Sequence, residues 1–515
     1  MRKIFFFMTF MLVGMATRAQ IMNKGNYQYA DETQLWRQTD NAAALSFDPE
    51  RCDSSANRGV AYFNYKHHSG DYHRVQEGNQ TNQLRFFTER YQKIGKYLYG
   101  YGSFDFDMGR TKNRAWSDVM RTYNANPYIS GSDIPGKYDF QDFKLQARIS
   151  TIQLGHFTYG ATLSYNVGDL SRLRDPRSRI NLAEYRIAPA ATLSLGKHTL
   201  GLTTYYDRRK EKLPDITTVQ DDYNVNYYLM SGLENAEGTL AGYKGYMREY
   251  VDHKFGTEVG YGLQSRRLKS VNTLSFATAT EYVYGTNKYE PGKYNHMFYG
   301  LSSRNRIYAG NLLHSIDVVA GYEVGSADEY KEERTSTKDA ETGETTVTWN
   351  KVLEYKKRYQ MKKLDTEMRY RLSWTKDKAV YAYIDAKYDL QSVRNKRILH
   401  TSQLKYVTSL FGIEGGYELL HRSLWIEGGL NWKVNHNSSL DLNNPDTEYA
   451  KNVLIPDMEY YRANYFQGCL SVTYQFPLTI MKNKTMWYVR ANGDWLRTNS
   501  NLHASSFGVT LGMFN

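Results

Sequence analysis

Apolar and polar residues alternate along much of this chain with a period of two. In residues 379–392, AVYAYIDAKYDLQS, one face carries Val380, Ala382, Ile384, Ala386, Tyr388 and Leu390. The other carries Tyr381, Tyr383, Asp385, Lys387, Asp389 and Gln391. A period of two is a β-strand, and this one is longer than an ordinary globular strand. The pattern recurs at 156–167, 366–374, 423–434 and 486–495. In 366–374 the polar face is Glu367, Arg369 and Arg371. Burying those three together in a dry core would be very costly; a wet lumen removes most of that cost. The apolar faces are therefore predicted to meet lipid and the charged faces a lumen.

The connections alternate in length. Short turns are expected near Gly95, Gly155, Gly196, Lys269, Gly310, Asp377, His421 and Asn483. Longer polar segments lie at about 111–138, 169–182, 209–252, 286–297, 327–355 and 436–461. Short periplasmic turns and long outer loops alternate in this way in transmembrane barrels. The predicted fold is all-β, an antiparallel up-and-down transmembrane β-barrel of about 18 strands. Segments near 60, 84, 299 and 405 alternate weakly, so roughly 14 to 18 strands fit. The last strand places Phe507, Val509, Leu511 and Met513 on one face and ends at Phe514-Asn515.

Three regions follow. Residues 1–19 read as a secretory signal peptide: Arg2 and Lys3, an apolar run from Ile4 to Met15, and a small-residue exit before Gln20. Residues 20–57 form an N-terminal periplasmic segment, too short to fold alone, and a candidate hatch. Its packing residues are Leu35, Trp36, Asn41 and Leu45, which serve equally as a stabilising cap under the barrel. Residues 58–515 are the barrel.

Composition agrees. Aromatic residues make up 15% of the chain, including 46 Tyr, yet mean hydropathy is only −0.66. A barrel reconciles these values, because only alternate residues face lipid and aromatic girdles flank the band. Only Cys52 and Cys469 are present, so no disulfide framework is expected; Cys469 is assigned to the lumen face. The net charge of +12 includes Arg2, Lys3 and Arg18 of the signal peptide. With no nucleic-acid motif in an exported, Tyr-rich chain, the basic balance points to lipid phosphates.

The lumen-lining charges predicted by phase are Arg148, Arg186, Glu367, Arg369, Arg371, Asp385, Lys387, Asp389, Glu427, Lys433, Arg490 and Asp494, with Lys144, Glu258, Asp317 and Glu323. One sign alone would suggest an ion-selective pore. A mixture suggests pairs that brace a wide barrel.

Other motifs read as ordinary structure. Gly131–Lys137 approaches a phosphate-binding loop, but Tyr138 replaces the Ser or Thr that holds magnesium. His67, His68, Asp71 and His73 have zinc- or copper-ligand chemistry and read as a polar loop tip. Asp441–Asp446 lacks the glycine of a calcium loop. There is no Gly-x-Ser-x-Gly and no His-Glu-x-x-His. No catalytic residue, metal or cofactor is expected.

The exit Ala19-Gln20, the Trp36–Leu45 element, the Tyr-rich loops and the terminal Gly512-Met513-Phe514 together resemble an uncharacterised (domain-of-unknown-function) outer-membrane β-barrel family of Bacteroides-like bacteria. Asn41-Ala42-Ala43 resembles the Asn-Pro-Ala element of long-chain fatty-acid transporter barrels, with Ala in place of Pro. The chain does not resemble a TonB-dependent receptor, which is larger and carries a longer plug domain. The resemblance implies fold and location, the outer membrane of a Gram-negative bacterium; the aromatic Phe514 near the C-terminus resembles the signal that barrel-assembly machinery reads, and lipid and lipopolysaccharide are the expected surroundings. The resemblance implies no activity. The expected function is a channel or transporter for a small solute or hydrophobic compound. The alternative is a non-conducting surface scaffold or partner barrel for another envelope protein. An enzyme comes third.

Overall fold

The computed structural model describes residues 22–47, 59–121, 125–219, 225–240, 246–338, 341–480 and 483–514. The signal-peptide reading and Cys52 lie outside them.

Eighteen antiparallel strands close on themselves. In chain order they are β1 Gly59–Gly70, β2 Gln80–Ile94, β3 Leu98–Arg114, β4 Gly136–Thr151, β5 Phe157–Arg172 and β6 Arg177–Leu195. Next come β7 His198–Leu213, β8 Arg248–Gln264, β9 Leu268–Tyr284, β10 Gly292–Ala309, β11 Leu312–Lys338 and β12 Thr345–Lys376. The last six are β13 Ala379–Arg397, β14 Ser402–Leu419, β15 Leu424–Asp441, β16 Tyr465–Ile480, β17 Asn483–Thr498 and β18 His503–Phe514. Each strand pairs with its neighbours in sequence. β1 closes on β18, from Val60 opposite Phe514 to Gly70 opposite Ala504.

Alternation sets the two faces. Leu163, Ile384, Ile413, Leu430, Trp432 and Leu470 stand on the outside and are exposed. Arg369, Arg371 and Asp385 stand inside, with Arg369 and Arg371 both bonded to Asp385. This apolar outer band around a charged interior makes the barrel transmembrane, in the outer membrane of a Gram-negative bacterium.

The short turns mark the periplasmic end. Gly95, Gly155, Gly196 and Gly310 have φ near +62° to +64°, a left-handed conformation glycine adopts without steric cost. The turn expected near Lys269 lies at Ser265–Arg267, before β9. The opening stretch also needs one correction. Tyr381 is an extra residue, so Thr375 pairs with Val380 while Trp374 pairs with Ala382. This β-bulge turns Val380 inward, where it packs with Tyr383 and Trp425 instead of facing lipid.

A second correction concerns 327–355. It is mostly strand: β11 and β12 continue past the last β10 partner, Glu329, and form a hairpin that projects beyond its neighbours. At the outer end, loop strands Ser130–Gly131, Asn226–Met230 and Ala236–Leu240 form a small sheet. The β15–β16 connection carries helix α2, Ile455–Arg462. Together with residues 71–79 these loops roof the barrel around Trp116, Tyr128, Tyr228, Tyr449 and Met458.

Candidate functional site

An 18-strand barrel is wide enough to hold water. The periplasmic half of this lumen is occupied by residues 22–47. Helix α1, Lys24–Thr33, starts at Asn23, whose side chain accepts from the Asn26 backbone N–H at 2.9 Å. Two 3₁₀ turns follow, Leu35–Gln38 and Ala42–Phe47.

The barrel wall is shaped to receive this segment. Gly201 of β7 lies directly opposite Gly260 of β8, and Gly262 is next on the same face. A Cβ on Gly201, Gly260 or Gly262 would stand 2.8, 2.9 and 2.8 Å from the Trp36 indole. Side chains there would evict the ring, so the three glycines form its slot. A Cβ at Gly160 would meet the Ala43 nitrogen at 2.4 Å, and one at Gly25 the Val380 carbonyl oxygen at 2.2 Å. Backbone therefore packs on backbone at both places.

Polar contacts ring the segment. Glu32 accepts from Arg371 at 3.0 Å and from Ser373 at 3.0 Å, and its carbonyl accepts from Arg306 at 2.7 Å. Lys24 pairs with Glu427, which also accepts from Tyr383 at 3.1 Å. Arg37 bridges Asp31 at 2.5 Å and Glu89 at 2.7 Å. Arg186 bridges Asp40 at 3.1 Å and Asp207 at 2.8 Å. The Asn41 amide donates to the carbonyls of Ala191, 3.1 Å, and Leu202, 3.3 Å. Ser150 and Thr158 donate to the Ala43 carbonyl. Breaking a buried ion pair by removing one partner typically costs about 3–5 kcal/mol, so this ring holds the segment firmly while it stays in register.

All four hatch residues of the sequence reading belong to this socket. Leu35 is buried, and Leu45 packs against Tyr91 and Tyr99. Among the lumen charges, Arg148 donates to the Thr39 carbonyl at 3.3 Å. Arg490 donates to Ser471 at 2.6 Å and lies 3.7 Å from Glu427. Glu367 stands opposite Asp389, which pairs with Lys387 at 3.0 Å. Asp494 accepts from Ser506. Lys433 stands apart from the segment, near the outer roof. Cys469 faces inward, its sulfur beside Gly429. Phe514 also points inward, stacked on Tyr488 at 4.8 Å and tilted on Tyr27 at 5.4 Å.

Above the plugged half, under the roof, lies a chamber of about 740 Å³. No residue of 22–47 lines it. One wall is charged. His296 sits between Asp252, 3.4 Å, and Glu323, 3.1 Å. Arg209 reaches Glu281 at 3.3 Å and also binds Glu211. Arg121 meets Glu184 at 2.5 Å. The facing wall and roof are aromatic and aliphatic: Tyr359, Met361, Leu404, Tyr406, Tyr449 and Leu454. In the roof, Asp457 accepts from the Val75 backbone N–H at 3.0 Å, and burial pushes its carboxyl up to about 7. Sequence reading missed the chamber, because its walls come from strands far apart in the chain. A second cavity, of about 510 Å³, lies beside Pro135, Lys137, Arg174 and Arg177. There the Gly131–Lys137 stretch runs directly into β4 with no following helix. His67 and His68, on opposite faces of β1, do not converge with Asp71 and His73. Among the described residues no three His, Cys, Asp or Glu are placed to share a metal ion.

A closed barrel with a lipid-facing apolar band, a charged lumen and a folded segment in its periplasmic mouth is a plugged outer-membrane β-barrel. The chain belongs to the Family of unknown function (DUF6850), whose model matches residues 49–515. No curated protein matches it. Among solved structures it is similar to the FrpB iron transporter from Neisseria meningitidis, at 10% identity and TM-score 0.40, covering 92% of this chain and 83% of that one. It is also similar to the copper transporter OprC, at 8% and 0.38, covering 88% and 81%. The ferric enterobactin receptor PfeA of Pseudomonas aeruginosa gives 8% and 0.39, covering 88% and 80%. Two of these are named for iron, as a transporter and a receptor, and one for copper transport. At such scores the likeness carries no argument about cargo or mechanism. Nothing found ties the chain to Bacteroides-like bacteria or to fatty-acid transporter barrels.

Proposed function

We propose that this protein is a gated, non-enzymatic transport barrel for a small solute or hydrophobic compound, with residues 22–47 as its periplasmic hatch. The observation that carries this reading is the Trp36 slot. Three glycines on two adjacent strands leave room for one indole, which a barrel wall has no need of unless something seats there. The seat is held by side-chain pairs instead of strand ladders, so the segment can leave without unpairing the barrel. In this reading the barrel sits among lipid and lipopolysaccharide and is inserted by barrel-assembly machinery.

Proteoliposome permeation tests this. Protein lacking residues 22–47 should assemble, shown by heat-modifiable gel mobility, and should admit small solutes faster than the intact chain. Equal permeation would favour the second reading, a non-conducting scaffold. The roofed outer end and the projecting β11–β12 hairpin support that alternative.

A further inference from the structure

The outer surface of the barrel carries a row of like charges where a strand register ordinarily sets opposites. Lys362 of β12 stands directly opposite Arg394 of β13, and Arg394 directly opposite Lys405 of β14. Lys396 lies one pair further out, opposite Gln360 and Gln403. All four share the phase of Met368, Tyr388 and Phe411, so they point away from the lumen. Lys362 and Arg394 are exposed, and Lys396 and Lys405 half-exposed. Like charges directly opposite one another repel. Among the described residues none of the four is paired with a carboxylate; Arg394 donates to the neutral Gln403 amide oxygen at 2.8 and 3.2 Å. Asp441, opposite Gln403, is the neighbouring carboxylate in register, so the patch holds four cations against one anion. Other parts of the same rim are built differently. There, outward cations meet carboxylates on a neighbouring strand: Arg110 with Asp139 at 2.6 Å, Arg179 with Asp169 at 2.7 Å, Lys210 with Glu249 at 3.1 Å and Lys293 with Asp328 at 3.6 Å.

The height of the row fits one anion. Arg394 is twelve residues beyond Ala382, the first outward position after the β-bulge of β13. With a rise of about 3.3 Å per residue and a tilt of roughly 40°, that is about 30 Å along the barrel axis, just past an apolar band about 25 Å tall. On the membrane side of the row the same faces carry Leu364, Met368, Tyr388 and Phe411. The cations therefore stand at the level of the outer-leaflet headgroups, above side chains that suit acyl chains. We infer that Lys362, Arg394, Lys396 and Lys405 form a binding site for a phosphate group of lipopolysaccharide, with its acyl chains lying on Leu364, Met368 and Phe411. A phosphate seated among them turns their mutual repulsion into charge-assisted hydrogen bonds, and the Arg394 guanidinium offers it a planar fork. The site belongs to the outer wall and is independent of whether the lumen conducts.

Lipid binding by the full-length protein in a non-ionic detergent, stripped of native lipopolysaccharide, tests the inference. Fluorescently labelled lipid A with both phosphates is compared with the form lacking both and with labelled phosphatidylglycerol. The phosphorylated lipid A should bind saturably and about tenfold more tightly than either of the others. The triple change Lys362→Gln, Arg394→Gln and Lys405→Gln should remove that preference, whereas Lys362→Arg should keep it. Lys210→Gln and Lys293→Gln, which alter paired cations of the same rim, should leave it intact. Thermal unfolding separates lost binding from lost folding. Without lipid the triple variant should unfold at a higher temperature than the intact protein, because like charges no longer face each other. Phosphorylated lipid A should raise the midpoint of the intact protein and not that of the variant. Equal affinity for the two forms of lipid A, equal affinity for phosphatidylglycerol, or a triple variant that binds like the intact protein would overturn the inference. So would a triple variant less stable than the intact protein in the absence of lipid.

Discussion

The two ends of the lumen are closed by different means. At the periplasmic end the closure is a segment outside the strands, docked by the Trp36 slot and a ring of ion pairs. At the outer end it is built from loops continuous with the strands, packed around an aromatic core that includes Trp116, Tyr128 and Tyr449. Removing the first breaks no ladder hydrogen bond. Opening the second exposes that core, at roughly 25 cal/mol per Å² of apolar surface. On the proposed reading, the periplasmic closure is a separable gate, and the outer closure moves only by local unpacking.

The wall common to both ends gives the largest expected effect. Ile384→Arg places a charge on the lipid face, where Ile384 is 53% exposed, and should destabilise the inserted barrel by about 2–4 kcal/mol near the midplane. Lys387→Gln, one turn of the pleat away and inside, should cost far less. Equal shifts in urea midpoint for the two would mean the faces are misassigned. Next is the plug. Trp36→Ala should weaken docking by about 2 kcal/mol, less than a fully buried Trp because this one is half-buried. Residues 22–47 should then exchange amide hydrogens faster while the strands do not. If strands and plug loosen together, the plug is part of the fold and not a gate.

The smallest effect concerns the roof. Burial raises the Asp457 carboxyl from an ordinary 3.8 to about 7. The folded roof therefore holds a proton that the opened roof gives up. That stabilisation is complete below about pH 4 and is lost as pH rises to about 7. Hydrogen exchange across 449–461, corrected for intrinsic rates, should be several-fold faster at pH 8 than at pH 5. In Asp457→Asn the difference should vanish, and the plug should show no such dependence in either protein. A pH response confined to the plug would reverse the comparison.

Much of the wall was legible in the sequence because lipid enforces alternation on one face. The weak segments near 60, 84 and 405 share one cause. Inward positions are apolar wherever the plug or roof touches them: Tyr62 and Phe87 pack with Met22, and Leu404 and Tyr406 join the roof core. With both faces apolar, the period fades. The hairpin at 327–355 failed for the opposite reason. Water bathes both faces of Thr335, Thr337, Thr346 and Thr348, so nothing imposes alternation. The hatch residues could be singled out because apolar side chains in a short segment need a surface to cover. Their partners could not, since Gly201, Gly260 and Gly262 read as unremarkable strand glycines until an indole is seen between them. The chamber needed closure of the barrel, which brings β8 to face β14.

The separable gate is the central claim, and single-channel recording in planar bilayers tests it most directly. Intact protein should stay closed, with rare openings. Protein lacking residues 22–47 should assemble with the same heat-modifiable mobility and conduct in long, stable steps. If the deletion assembles normally and remains as silent as the intact chain, the plug is not the gate, and the lumen is closed by its own wall or by the roof.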